Sequence, residues 1–252
     1  MVFSFGIGFD AGFDLDLARR MPWCELFMFD PTPAIVDVLS GDTAAWTALH
    51  GDMLKRNKAV DSIAELRAQT RGLFANGTAT PSPGALSLPN VRFFPLGLAA
   101  QDQEAGMRNW WTIQARTAPR NVSLLSLESV VARVGRRPSV IKLDIEGAEK
   151  EPGLLQAVLQ SGAVQLLLEL HNARDTPPPK GLPRLPAADL LATAAAANYL
   201  PWREEKAQFS NVHSIHCLVK KHGAANGPRA LNGCEAGKAC EDARSRRVQL
   251  PL

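Results

Sequence analysis

The chain has 252 residues, of which 46% are hydrophobic and 21% charged, and its 28 Lys and Arg against 25 Asp and Glu give a formal net charge of +3. This composition is that of an ordinary globular protein and excludes disorder over the whole length. A net charge this small does not predict a surface for nucleic acid or anionic membranes, and no apolar run reaches the roughly 18 residues that a membrane span needs. We therefore expect neither nucleic acid nor a membrane among the partners of this chain.

Short apolar runs recur along the chain and predict buried β-strands. Helical patterns lie between several of them, and this alternation predicts βαβ units in an open, doubly wound parallel sheet with helices on both faces. A ligand of such a sheet binds beyond the carboxyl ends of the strands, where the strand order reverses. The predicted strands cover 2–7, 25–29, 91–96, 139–143, 164–170 and 213–219, and the predicted helices cover 13–20, 124–134, 148–161 and 187–197.

Three segments interrupt this alternation. The connection between the second and third predicted strands is too long for a turn and one helix, and we interpret residues 37–90 as an inserted helical and loop segment. Residues 222–252 contain few large aliphatic side chains, which predicts a disordered C-terminal tail. The proline-rich stretch 176–186 predicts a stiff linker. The predicted organisation is one domain over 1–221 that carries the insertion, followed by the tail.

The cysteines and the first residues bear on the compartment. The four cysteines, Cys24, Cys217, Cys234 and Cys240, are few and scattered, which favours free thiols over a disulfide framework. The spacing of Cys234 and Cys240 leaves a small disulfide loop or a pair of metal ligands open. The first residues show neither the basic region nor the apolar segment of a secretory signal, so the expected location is cytoplasmic by default.

A glycine-rich turn follows the first predicted strand. It contains Gly6, Gly8 and Asp10, and Asp30 stands at the end of the second predicted strand. Glycines at such a turn let the backbone approach a nucleoside, and an acid at the end of the next strand can accept hydrogen bonds from two ribose hydroxyls. The sequence therefore predicts a nucleoside-cofactor site.

The charge of this turn discriminates between cofactor classes. Ala11 stands where a dinucleotide fingerprint has its third glycine, and Asp10 would place a carboxylate beside a pyrophosphate. S-adenosyl-L-methionine contains no phosphate and carries a cationic sulfonium and a cationic ammonium, so an acidic turn suits it. We expect S-adenosyl-L-methionine, with a nicotinamide dinucleotide as the less favoured alternative.

Polar residues also follow the fourth and fifth predicted strands. Asp144 and Glu146 lie two residues apart and share one face if the extended backbone persists, while Glu149 favours a helix-capping role. Glu169 and His171 share a face at the end of the next strand. We expect Asp144, Glu169 and His171 to lie together at the carboxyl edge of the sheet, where they would supply a general base. A metal held by these three residues is the alternative.

The segment 141–149, with the sequence IKLDIEGAE, resembles the K-x-D-x-E-G-x-E signature of FkbM-family S-adenosylmethionine-dependent methyltransferases. The opening block 3–14, the segment FDPTP at 29–33 and the segment PLGL at 95–98 are similar to the methyltransferase-like protein 24 branch of that family. The resemblance implies a class I methyltransferase fold, which is Rossmann-like with a mostly parallel sheet of about seven strands. The strand predicted at 213–219 would be the antiparallel last strand.

The resemblance also implies a function, namely O-methylation of a hydroxyl group on a sugar or other small-molecule acceptor. For the donor S-adenosyl-L-methionine it implies a set of binding residues, in which Asp30 holds the ribose and Asp144 lies under the methionine portion: Gly6, Gly8, Asp10, Asp30, Asp144 and Glu146.

The strand-end geometry adds the catalytic hypothesis that His171, oriented by Glu169, takes the proton of the acceptor, and we assign no metal ligands. Ser4 stands where many methyltransferases have an acid. A catalytically inactive module that binds a nucleoside or a protein on the same fold is therefore the alternative.

Overall fold

The computed structural model describes residues 1–8, 10–39, 47, 63–64, 88–107, 120–151, 153–171, 187–206 and 212–220. Most of the insertion predicted at 37–90 lies outside these ranges, as do the whole proline-rich stretch 176–186 and the whole tail predicted at 222–252. The described residues fall into two compact units, one with Met1–Gly6, Leu98–Gln101 and the chain from Leu125 onward, the other with Ile7–Gly97 and Asp102–Leu124. The single domain predicted over 1–221 stays a prediction.

Strands and helices alternate over most of the described chain. In chain order the elements are β1 (Val2–Phe5), α1 (Gly12–Arg20), β2 (Leu26–Phe29), α2 (Pro33–Leu39), β3 (Val91–Phe94), β4 (Gly97–Leu98), β5 (Gln103–Met107), β6 (Arg120–Leu125), α3 (Leu127–Val134), β7 (Val140–Leu143), a 3₁₀ turn (Ala148–Lys150), α4 (Leu154–Gln160), β8 (Gln165–His171), α5 (Ala187–Ala196), β9 (Tyr199–Lys206) and β10 (Val212–Lys220). The six predicted strands and three of the four predicted helices are present with shifts of a few residues at their ends, and the helix predicted over 148–161 is divided.

The larger of the two described sheets has the order β3-β2-β1-β7-β8-β10-β9. When only its own strands are numbered along the chain, this order is 3-2-1-4-5-7-6. The pairs β1/β7, β2/β3 and β7/β8 are parallel, whereas β10 is antiparallel to both β8 and β9. A mostly parallel sheet whose antiparallel last strand lies between the fifth and the sixth strands is the class I methyltransferase fold. The predicted fold class and the predicted antiparallel strand are both confirmed.

The unit that contains β1 has its core on the central strands. All four residues of β1 are buried, and the rings of Phe3 and Phe5 meet edge to face at 6.2 Å. The neighbouring β8 buries Leu166, Leu167 and Leu168, whose alternating side chains therefore meet cover on both faces of the sheet. An unbroken apolar run is typical of a strand buried on both faces, which explains why the apolar runs of the sequence predicted these strands.

The unit that contains β2 is built around the packing of α1 against that strand. α1 is buried all round at residues 14–18, which include Leu15 and Ala18, and its last two residues are exposed. The Asn90 side-chain amide donates hydrogen bonds to the carbonyls of Ala18, Met21 and Cys24, so the residue before β3 ties down the end of the helix and the following turn. These bonds fix the point at which β2 begins.

Some elements carried too weak a pattern to be predicted. β4, β5 and β6 form a three-stranded sheet of order β4-β6-β5, in which Gln103–Met107 and Arg120–Leu124 pair antiparallel. α2 and β9 were also not predicted. The helix predicted over 148–161 is divided, because Gly153 takes a φ of 85° between the 3₁₀ turn and α4.

Two chemical findings concern the whole described chain. Cys24 and Cys217 are the cysteines that the structure describes, and both are disulfide-bonded. The expectation of free thiols is wrong for these two residues, because sequence spacing does not show which buried positions a fold brings together. None of the helices in the described ranges has the length and apolar character of a membrane span.

Candidate functional site

The Asp30 carboxylate organises the glycine turn that follows β1. Its Oδ2 accepts hydrogen bonds from the backbone amides of Ile7 and Gly8, each at 2.9 Å, and its Oδ1 accepts one from the amide of Thr32 at 2.8 Å. The residue is 2% exposed. A carboxylate at the end of β2 therefore holds two amides of the turn and one amide of its own following loop.

The surroundings of Asp30 shift its pKa. Burial removes water from the carboxylate and raises its pKa above the ordinary value of 3.8, while the hydrogen bonds with Thr32, Gly8 and Ile7 act in the opposite direction. An ionised carboxylate has about four acceptor positions, and the three backbone amides take most of them. The Thr32 side chain is a further hydrogen-bond partner of this carboxylate, so the chain itself takes about all of these positions. The contact of Asp30 with ribose hydroxyls stays a prediction.

Gly8 gives this turn an open side. Its φ is 57°, which L side chains rarely adopt, and a Cβ built on it would meet no atom within 4 Å. Gly8 also donates its amide to Asp30. The backbone at this position is thus exposed to the approach of a ligand, as a nucleoside-binding turn requires.

Gly6 has a different requirement, which comes from the end of β7. Its φ is 77°, and a Cβ built on it would overlap the backbone carbonyl oxygen of Asp144. The Asp144 amide donates to the Phe5 carbonyl at 3.0 Å, so β1 and the chain after β7 are locked together beside Gly6. Only glycine fits this close approach of two backbones.

Lys142 is the other residue that secures this position, and sequence reasoning assigned it no role. Its Nζ donates to the Gly6 carbonyl at 2.5 Å and lies 3.7 Å from Asp144 Oδ2. The exposed fractions of the two side chains are 16% for Lys142 and 29% for Asp144. A lysine within the otherwise apolar strand VIKL is the sequence signal that could have identified it.

The turn after β7 uses its acidic residues in separate ways. β7 ends at Leu143, and Glu146 takes a φ of 55°, so the extended backbone does not persist and the expected alternation of Asp144 and Glu146 is wrong. Glu146 is exposed. Glu149 is buried and its Oε2 accepts from the Gly147 amide at 2.8 Å, which agrees with the capping role favoured for it.

Glu169 and His171 lie at the carboxyl end of β8. The register of β7 and β8 pairs Leu143 with Leu168. Asp144 and Glu169 are the residues that follow this pair directly. The Glu169 residue is half-buried and pairs with Ile215 of β10, and His171 pairs with Val212. The backbone therefore brings Asp144 and Glu169 to one edge of the sheet, with His171 two residues further along.

Asp10 has a contact within its own turn. The Oδ1 atom accepts from the Gly12 amide at 2.8 Å, at the first residue of α1, and the residue is exposed. A carboxylate here satisfies one of the amides that a helix start leaves without an intrahelical partner.

Within the described residues, no cluster of three or more His, Cys, Asp or Glu side chains could hold a metal ion.

Comparison with known proteins finds similar solved structures but no matching family model. No protein-family model matches the chain, and no curated protein matches its sequence. Among solved structures the chain is similar to a 16S rRNA (adenine(1408)-N(1))-methyltransferase from Catenulisporales acidiphilia, with 12% identity, a TM-score of 0.40 and coverage of 87% of this chain and 83% of that one. It is also similar to the antibiotic-resistance methyltransferase Kmr, with 15% identity, a TM-score of 0.41 and coverage of 87% and 86%. The fold is assigned from the strand order and not from these likenesses.

Proposed function

We propose that the protein is an S-adenosyl-L-methionine-dependent methyltransferase that transfers a methyl group to a hydroxyl oxygen of a sugar or other small-molecule acceptor. The observation that carries the proposal is the sheet order 3-2-1-4-5-7-6, which reverses between β1 and β7, together with the glycine turn and Asp144 at the carboxyl ends of these two strands. Ligands of doubly wound sheets bind at such a reversal. The resemblance of the segment IKLDIEGAE to the FkbM signature supports a hydroxyl oxygen as the methyl acceptor.

The residues present fit this cofactor in shape and charge. The open side of Gly8 admits a nucleoside, and the 29% exposed side chain of Asp144 suits a ligand with a cationic sulfonium and ammonium. When bound, S-adenosyl-L-methionine supplies an electrophilic methyl group. We assign the shape of the site to Gly6 and Gly8, which admit close approaches that a side chain would block.

The acidic residues have distinct proposed roles toward the donor. Asp30 fixes the turn through three backbone amides, and we assign the ribose hydroxyls of the donor to the same carboxylate. Asp144 faces the cationic methionine portion, and Glu146, which is exposed in the same turn, adds negative charge beside it. Asp10 fixes the start of α1 and keeps the turn acidic.

The acceptor needs a base, because an alcohol is a weak nucleophile at neutral pH. A positioned general base adds about 10²- to 10⁴-fold to the rate. We assign this role to His171, with Glu169 as the residue that orients it, since both stand at the end of β8, and Glu169 lies next in register to Asp144. The proton passes from the acceptor hydroxyl to the imidazole as the oxygen attacks the methyl carbon.

Calorimetric titration tests the donor assignment first. The protein is titrated with S-adenosyl-L-methionine, S-adenosylhomocysteine and NAD, and we expect binding of the first two and not of NAD. Asp144→Asn should weaken binding of S-adenosyl-L-methionine about tenfold, which corresponds to about 1.4 kcal/mol. Glu128→Gln makes the same chemical change at an exposed position of α3 and should leave the affinity unchanged. Selective binding of NAD would contradict the proposal.

Methyl transfer is then measured with labelled donor on a panel of hydroxylated glycans, hydroxylated small molecules and structured RNA. We expect transfer to a hydroxyl compound, and His171→Ala should lower its rate at least about 100-fold without changing donor affinity. RNA is included because one similar solved structure is that of an rRNA methyltransferase. Transfer to RNA alone would contradict the acceptor class, and donor binding without transfer to any member would favour the inactive binding module.

A further inference from the structure

The two described cysteines are buried and are both oxidised. Cys24 is 3% exposed and Cys217 is 5% exposed, and each is disulfide-bonded. Since the chain has four cysteines, their possible partners are each other, Cys234 and Cys240. Neither Cys24 nor Cys217 is a buried free thiol.

The backbone around each cysteine is fixed by hydrogen bonds. The Cys24 amide donates to the Met21 carbonyl at 2.9 Å, and the Cys24 carbonyl accepts from the Asn90 side-chain amide at 2.9 Å. Cys217 lies within β10, where it pairs with Leu167 of β8 on one side and Arg203 of β9 on the other. Cys24 is therefore a buried residue of the turn between α1 and β2, and Cys217 is a buried residue within a strand.

Burial and rigidity distinguish structural disulfides from redox-active ones. A disulfide is reduced or exchanged when a thiolate reaches one of its sulfur atoms, so catalytic and sensing disulfides are accessible. Cys24 and Cys217 are both buried, so an external thiolate cannot readily reach the sulfur atom of either residue. In the reducing cytosol, disulfides are rare and mostly of the transient, accessible kind, whereas permanent structural disulfides belong to oxidising compartments.

We infer that Cys24 and Cys217 are held in permanent structural disulfides, and that the protein folds and acts in an oxidising compartment. Each bond forms when two thiols release two protons and two electrons to a disulfide oxidant, such as an oxidoreductase disulfide, which is reduced to two thiols. The inference is independent of the proposed methyltransferase activity. It replaces the cytoplasmic location that the first residues suggested by default.

Disulfide mapping tests the inference on the full chain. The protein is produced once in an oxidising compartment and once in a reducing cytosol, denatured without reductant, alkylated, digested and analysed by mass spectrometry. In the oxidised sample we expect the peptides that contain Cys24 and Cys217 to be alkylated only after a reductant is added. Cys24→Ser should release one newly alkylated cysteine, which identifies the partner. Alkylation of Cys24 and Cys217 without reductant in the sample from the oxidising compartment would overturn the inference.

Thermal unfolding tests whether the disulfides are structural. We expect the oxidised protein to melt about 5–15 °C above the same protein after reduction, because each cross-link restricts the unfolded chain. The matched control replaces all four cysteines by serine, and its melting temperature should not respond to reductant. Equal melting temperatures of the oxidised and the reduced wild-type protein would contradict a structural role, and the mapping decides the oxidation state even if the serine variant does not fold.

Discussion

Asp30 and Asp144 both follow buried parallel strands, but their carboxylates are in opposite situations. Asp30 is 2% exposed and accepts three backbone amides, whereas the Asp144 side chain is 29% exposed and lies 3.7 Å from the Lys142 ammonium. The first carboxylate uses most of its acceptor capacity on its own chain. The second keeps part of its surface exposed, so two acids at equivalent strand ends differ in how far their own chain saturates them. This difference underlies the separate roles proposed for them.

The glycines of the turn show the same division. Gly6 is required because the chain after β7 leaves no space for a Cβ, while Gly8 is required because the turn must stay open and adopt a positive φ. Close packing stabilises one end of the turn and access is preserved at the other. Four experiments test these differences between the two acids and between the two glycines.

The largest effect should come from Gly6→Ala. The new Cβ would overlap the Asp144 carbonyl oxygen, which belongs to a fixed backbone, and the φ of 77° is strained for alanine. We expect a loss of more than about 4 kcal/mol in the free energy of unfolding, which leaves little folded protein in circular dichroism or in a protease-resistance assay. Gly8→Ala is the matched control, because its φ of 57° is strained but its Cβ meets nothing, and we expect a loss of about 1–2 kcal/mol. Equal losses would contradict the assigned difference between the two glycines.

The next effect distinguishes the two acids. Asp30→Asn replaces an acceptor oxygen with a donor opposite one of the three amides, and we expect a loss of about 2–3 kcal/mol in urea unfolding. Asp144→Asn, at a partly exposed position, should cost less than about 1 kcal/mol in stability. Calorimetry should rank the two variants in the opposite order. Relative to its loss of stability, Asp144→Asn should weaken binding of S-adenosyl-L-methionine more than Asp30→Asn does. A larger stability loss for Asp144→Asn would show that the roles are assigned the wrong way round.

A smaller effect is expected at Lys142. Lys142→Met keeps the aliphatic stem but removes the ammonium that donates to the Gly6 carbonyl, and we expect a loss of about 1–2 kcal/mol. Lys142→Arg retains the charge and several donors and should recover part of this stability and of the donor affinity. If the methionine and arginine variants are equally affected, the charge and the hydrogen bond at Gly6 are not what Lys142 contributes.

The smallest effect is the pH dependence that Asp30 causes. Because burial raises the pKa of Asp30 above 3.8, the folded state binds the proton more tightly than the unfolded state. Its contribution to stability is fully present below pH 3.8 and is lost as the pH rises through the raised pKa. The difference in unfolding free energy between wild type and Asp30→Asn, followed by urea titration at several pH values, should therefore shift against the wild type over this window. A shift in favour of the wild type would mean that the amide hydrogen bonds outweigh desolvation.

Local pattern was enough to locate most of the fold. The runs in β1, β7 and β8 are apolar on both faces, so their burial can be inferred from a few adjacent residues. The glycine turn and the acids at strand ends could be found in the same way, because strand ends are where a doubly wound sheet places its ligand. The three-stranded sheet was missed, since β5 and β6 are mixed in polarity and β4 has only two residues.

What each site residue contacts was decided by the tertiary structure. Lys142 lies 136 residues from Gly6 in sequence, and Asp30 lies 22 residues from Gly8, yet each pair is joined by a hydrogen bond. The oxidation of Cys24 and Cys217 likewise depends on which positions folding brings within bonding distance. The apolar pattern is a property of neighbouring residues, and the sequence alone therefore located the six apolar strands and their order along the chain. Acceptor saturation, protonation and covalent pairing depend on distances between remote residues, which exist only after the strands have assembled.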